Sequence, residues 1–137
     1  MEIKVKNKER ITDPSQVAKV FLSILNSESE IDREKEHFWV MGLDSAKRIK
    51  YIELVTLGIL NESLVHPREV FRFAILKGVD CIIICHNHPS GEVEPSSQDI
   101  KITEKLREAG NIIGIEVIDH LIIEGNGKYL SFVEKNL

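Results

Sequence analysis

With 137 residues, 42% of them hydrophobic and 29% charged, the chain has the size and make-up of one globular domain with a substantial core. No apolar run nears the roughly 20 residues of a membrane-spanning helix, and MEIKVKNKER lacks the apolar centre of a secretory signal, so the cytoplasm is the expected compartment. A net charge of −4, from 18 basic and 22 acidic residues, argues against a broad nucleic-acid footprint.

The basic runs KVKNKER and AKRIK are expected to be a solvated arm and a turn, with residues 1–13 forming an N-terminal arm and 14–137 the domain. Asp13, Pro14 and Ser15 open a helix whose apolar face carries Val17, Val20, Phe21, Ile24 and Leu25. The polar stretch NSESEIDREKE reads as a connector. EHFWVMGLD and RIKYIELVTLG then read as two strands of a hairpin joined through DSAK. HPREVFRFAILKG is a helix with His66 at its cap, Pro67 in its first turn and Gly78 at its end. DCIIIC is a short buried strand. PSSQDIKITEKLREAG is a further helix, expected to close at Gly110, and GIEVIDHLIIEG and KYLSFVE are strands around the turn GNGK. This order predicts an α/β fold: a mixed sheet with helices packed on its faces. Cys81 and Cys85 share one face of a buried strand, too far apart for an easy disulfide, and are expected to be reduced core thiols.

The chemistry concentrates in CHNHPSGEVEPSSQD, residues 85–99. Alternation puts Cys81, Ile83 and Cys85 on one face of the strand and Ile82, Ile84, His86 and His88 on the other. Two imidazoles at this spacing, leaving the strand's carboxyl end, can converge on one metal ion. Asp99 falls on the inward stripe of the next helix with Ile102, Leu106 and Ala109, where an ionised carboxylate needs a partner or a metal. Two imidazole nitrogens, one carboxylate oxygen and an open position make a donor set of the catalytic zinc type. Residues 89–95 form the loop that folds the helix back over the histidines. Ser96 to Asp99 also reads as a capping box. The two roles are compatible, because a cap hydroxyl accepts a backbone N–H and keeps its own proton.

HNHPSGEVEPSSQD resembles the JAMM motif of the MPN-domain zinc metalloproteases: HxHP, six residues, Ser, two residues, Asp. SLVHPREVFRFAILKG, NHPSG, EPS and VIDHLII are similar to the RadC branch of that superfamily, over about residues 14–137. The resemblance implies a three-layer α/β/α, cytidine-deaminase-like fold, zinc (Zn2+) held by His86, His88 and Asp99, and hydrolysis of peptide or isopeptide bonds. It also implies a glutamate at the start of the first strand. Glu34, Glu36 and Glu53 are the candidates. Glu36 precedes HFWVMGLD on the face of Phe38 and Val40 and matches the family's Glu-His-Phe entry, so it is the expected general base. Ser96 is the expected donor to the oxyanion.

Longer RadC-type proteins carry an N-terminal helix-hairpin-helix region, a pattern not found in these 137 residues, so nucleic-acid contact is expected to be weak. The competing function is a DNA-repair-associated accessory protein with a structural or silent metal site. A zinc deaminase is disfavoured, because H-x-E and a downstream P-C-x-x-C are both missing. The expected partner is a peptide or protein substrate. Of the other polar residues, His66 is expected to be a helix cap, one of Asp119 and His120 to face inward with His120 a satisfied core histidine, and Glu92 and Glu94 to be solvated. Trp39 is expected in the core.

Overall fold

Two segments, HFWVMGL and CIIICHN, are buried at every residue, polar ones included, which marks strands covered on both faces. They form the centre of the sheet in the computed structural model of the protein, which describes residues 1–5, 10–58 and 63–137. The elements run β1 (Glu2–Ile3), α1 (Pro14–Asn26), α2 (Glu30–Arg33), β2 (His37–Leu43), β3 (Ile49–Leu57), α3 (Pro67–Lys77), β4 (Cys81–Asn87), α4 (Ser97–Ile113), β5 (Glu116–Ile123) and β6 (Tyr129–Ser131). The sheet order is β1-β3-β2-β4-β5-β6, with β4 and β5 parallel and every other neighbouring pair antiparallel.

The alternation of β4 divides the core. Cys81, Ile83 and Cys85 pack with Val17, Phe21 and Leu25 of α1 on one face. Ile82 and Ile84 pack with Val70, Phe71 and Ala74 of α3 and Ile102 and Leu106 of α4 on the other. The domain is therefore three layers, helix, mixed sheet and helix pair, as the sequence implied. Both thiols are free and buried, with burial pushing each above the ordinary value, which suits inert core residues. Trp39 is in the core, its ring 5.5 Å from that of Phe21.

Caps follow the expected residues in part. Asp13 and Gln16 form a capping box at α1, and Gly78 closes α3 in the left-handed conformation at φ 64°. His66 occupies the cap position of α3, but its side chain makes no capping hydrogen bond. The end of α4 differs from expectation: the helix passes Gly110 and closes at Gly114, whose φ is 85°. Gly110 is small for packing, since a Cβ there would meet the Ile115 carbonyl oxygen at 2.4 Å. Gly114 supplies the left-handed cap and donates its N–H to the Gly110 carbonyl at 2.8 Å.

Three further differences come from tertiary partners. The polar connector holds the four-residue helix α2, capped by Ser29. The start of the chain adds β1 to the sheet edge, Glu2 opposite Glu53 and Ile3 opposite Ile52, while residues 6–9 of the basic run lie outside the described residues. The last strand stops at Ser131, because buried Asp119 accepts hydrogen bonds from Ser131 Oγ and Val133 N and draws the segment into turns.

Candidate metal centre

Strand β4 lies between β2 and β5, so its carboxyl end opens into the space under the start of α4. His86 is the sixth residue of the strand and His88 follows its end, both on the α4 side. Asp99 stands at the third position of α4 and is 4% exposed. His86 Nε2 and His88 Nε2 are 2.9 Å apart, His88 Nε2 and Asp99 Oδ2 3.0 Å, and His86 Nε2 and Asp99 Oδ1 3.1 Å. Ligands of a tetrahedral zinc ion with bonds of about 2.0–2.1 Å lie about 3.3 Å apart, so the three donors fit a small divalent ion after adjustments of a few tenths of an ångström. Among the described residues they form the one such group of histidines, cysteines and carboxylates.

The capping box and the triad are one structure. Asp99 Oδ2 accepts from Ser96 N at 2.8 Å, and Ser96 Oγ accepts from Asp99 N at 3.1 Å. Capping fixes the Asp99 carboxylate so that its oxygens face the two imidazoles. His88 Nδ1 is 2.8 Å from the Glu92 carbonyl oxygen, which can only accept, so the proton lies on Nδ1 and Nε2 faces the triad. Glu92 and Glu94 are exposed, as expected of loop charges.

Charge follows from these contacts. Burial alone would raise the Asp99 carboxyl, but hydrogen bonds from His86 and then His88 outweigh it and hold the group well below the usual carboxylate range. Burial lowers His86, against the pull of Asp99. The hydrogen bond to Asp99 raises His88, against its partial burial. Without a metal, the triad is thus an anionic carboxylate that attracts a proton to its more exposed histidine. A divalent cation competes for that same place.

Glu36 precedes β2 and is half-buried. Continuing the Phe38–His86 pairing by two residues along each strand brings Glu36 alongside His88. Its negative charge favours the protonated forms of both His86 and His88. The residue between the histidines secures this placement. Asn87 points to the opposite face, where its Oδ1 accepts from His37 N at 2.6 Å and its Nδ2 donates to Lys35 O at 3.0 Å. These bonds grip the backbone on either side of Glu36. Sequence reasoning missed Asn87, because the register that brings residues 35–37 to residue 87 is not encoded locally.

The other glutamates lie elsewhere. Glu53 faces Val40 across β2–β3 and pairs with Arg72 at 3.5 Å and the terminal ammonium at 3.9 Å, one strand beyond β2 from the histidines. Glu34 lines a cavity of about 420 Å³ bordered by Leu25, Arg33, His88, Pro89 and Glu124. His88 belongs to both the triad and this cavity. Asp119 and His120 are both buried, since the sheet is covered on both sides. His120 is satisfied, as expected, and one of its partners is His86 Nδ1.

A family model described as "RadC-like JAB domain" matches residues 11–137. A UPF0758 protein of Geotalea uraniireducens is 46% identical over 129 residues, covering 94% of this chain and 54% of its own length. One of Staphylococcus epidermidis is 45% identical, covering 93% of this chain and 54% of its own, and one of Caldanaerobacter subterraneus is 45% identical, covering 91% and 51%. The chain spans about half the length of these curated relatives. Among the described residues, no helix is long and apolar enough to cross a membrane.

Proposed function

The chain belongs to the RadC-like JAB domain family, and from that premise we propose that it is a zinc-dependent hydrolase of peptide or isopeptide bonds. The observation that carries the reading is the convergence of two imidazole nitrogens and one carboxylate oxygen within 3.1 Å at the end of a central strand. Bound zinc supplies Lewis-acid activation of water and of the scissile carbonyl.

The chain's own residues do the rest. His86, His88 and Asp99 hold the ion and leave an open side. Glu36, beside His88, accepts the proton of the attacking water and delivers it to the leaving amine. Ser96 Oγ accepts the Asp99 N–H, so its own proton is free to stabilise the developing oxyanion. The cavity beside His88 admits the flanking parts of a peptide. Buried, reduced Cys81 and Cys85 suit work in the cytoplasm.

The test is incubation of the zinc-loaded protein with peptides and isopeptide-linked conjugates in ¹⁸O-water, read by mass spectrometry. Cleavage with ¹⁸O in the new carboxylate, lost on chelation, is the expected result. Cleavage that survives chelation overturns the metal role.

We further infer that nucleic-acid contact is weak, on the −4 net charge. Duplex and single-stranded DNA titrated at physiological salt check it. A dissociation constant tighter than about 10⁻⁸ M, typical of specific complexes, overturns it.

A further inference from the structure

Strand β5 brings a second buried histidine to the triad, and the hydrolysis scheme does not use it. His120 pairs with Ile84 on the parallel strand β4, so its ring lies on the His86 face of the sheet. Its Nε2 is 2.8 Å from His86 Nδ1, and its Nδ1 is 2.5 Å from Thr103 Oγ1. Thr103 Oγ1 is in turn 2.8 Å from the backbone carbonyl oxygen of Asp99. Phe132 stacks on the His120 ring at 4.4 Å, and Phe38 meets it edge-on at 6.3 Å. The contacts start at one triad residue and end on the backbone of another. His86, Thr103 and His120 are each at most 1% exposed, so bulk water cannot replace a missing partner.

We infer that His120 and Thr103 are positioning residues that, with metal bound, keep the His86 proton on Nδ1 and leave Nε2 to the ion, through the buried chain from His86 Nδ1 by His120 and Thr103 to the Asp99 carbonyl. The inference rests on the metal centre proposed above. When His86 offers Nε2 to a metal, its proton is on Nδ1 and must be donated to His120 Nε2. His120, neutral, then carries its proton on Nδ1 and donates to Thr103 Oγ1. The Thr103 hydroxyl turns its own proton to the Asp99 carbonyl, which can only accept. Every donor has one acceptor in this arrangement. The opposite tautomer of His86 puts a proton on Nε2 and closes that atom to the ion. The chain therefore links His86 and Asp99 by a second path, behind the face where their Nε2 and Oδ1 atoms approach at 3.1 Å.

The test measures zinc affinity by chelator competition, together with ¹⁵N–¹H spectra of histidine-labelled protein loaded with zinc. His120→Leu keeps an apolar ring-sized group under Phe132 but removes the acceptor. Its zinc affinity should fall by about 10–100-fold, the usual effect of losing such a partner. His120→Gln, which restores an acceptor oxygen, should recover part of that loss. Thr103→Val should weaken binding by a smaller factor and keeps the inference testable if His120→Leu does not fold. The wild-type spectra should show the protons of His86 and His120 on Nδ1 in both rings. A proton on His120 Nε2, or zinc affinity within twofold of wild type in folded His120→Leu, overturns the inference and leaves the metal centre standing. If the wild-type protein takes up no zinc, the metal centre and this inference fall together.

Discussion

Asp99 and Glu53 are both almost fully buried on the helix-pair side of the sheet, at 4% and 2% exposure, yet their environments drive them in opposite directions. Asp99 has two imidazoles and a backbone N–H arranged around it, which hold its carboxyl low against burial. Glu53 is raised by burial, which Arg72 and the terminal ammonium only partly offset, and its Oε1 has no hydrogen-bond partner among the described residues. Burial therefore does not decide what a carboxylate is for. The partners do: Asp99 is built to stay anionic beside two nitrogen donors, whereas Glu53 is an acid of the inner strand β3 tied to an exposed arginine.

The largest expected break comes from Asp99→Ala. Zinc content by elemental analysis should fall from about one ion per chain to a small fraction, because two remaining imidazoles do not complete the ligand set. The lost capping contact should cost a further ~0.5–2 kcal/mol of stability in chemical denaturation of the metal-free protein. Glu53→Ala should leave zinc content unchanged.

Glu36→Gln sharpens the contrast within the site. It should retain zinc and lose hydrolysis by roughly 10²–10⁴, the usual worth of a general base, while Glu53→Gln stays near wild type in steady-state rate. The reverse pattern would move the base to Glu53.

Asn87→Ala comes next. It removes the grip on residues 35–37 and leaves the buried His37 N–H without its acceptor. A stability cost of about 1–3 kcal/mol should be seen by denaturant titration. The turnover number should fall more than zinc affinity, since the change acts on Glu36 and not on the ligands.

The smallest effect is the pH dependence of the metal-free protein. Asp99 is lowered on folding, so its contribution is complete above the unfolded value of about 3.9 and is lost as pH falls below it. Glu53 is raised on folding, so its contribution is complete below about 4.3 and is lost as pH rises through its folded value. Urea midpoints measured across pH should show Glu53→Gln removing the second loss and leaving the first.

Much of this site was legible in the sequence, because strand alternation and helix periodicity are local. His86 and His88 had to share a face, and Asp99 had to turn inward with Ile102 and Leu106. The layered sheet followed from the order of apolar runs. What stayed hidden depended on register between distant segments. The pairing that puts Asn87 at residues 35–37 joins positions 50 apart. His120 meets His86 through a parallel pairing with an irregularity between Ile82 and Ile83, which plain alternation along β5 does not reveal. Gly110 and Gly114 are equally good stops in sequence, and only the approach of Ile115 distinguishes them.

The central claim is that His86, His88 and Asp99 hold one metal ion together. Anomalous diffraction at the zinc absorption edge, from crystals of zinc-loaded protein, tests it most directly. One peak is expected about 2.0–2.2 Å from His86 Nε2, His88 Nε2 and an Asp99 carboxylate oxygen. A map with no peak at the triad, or with zinc only at surface residues, would contradict the account.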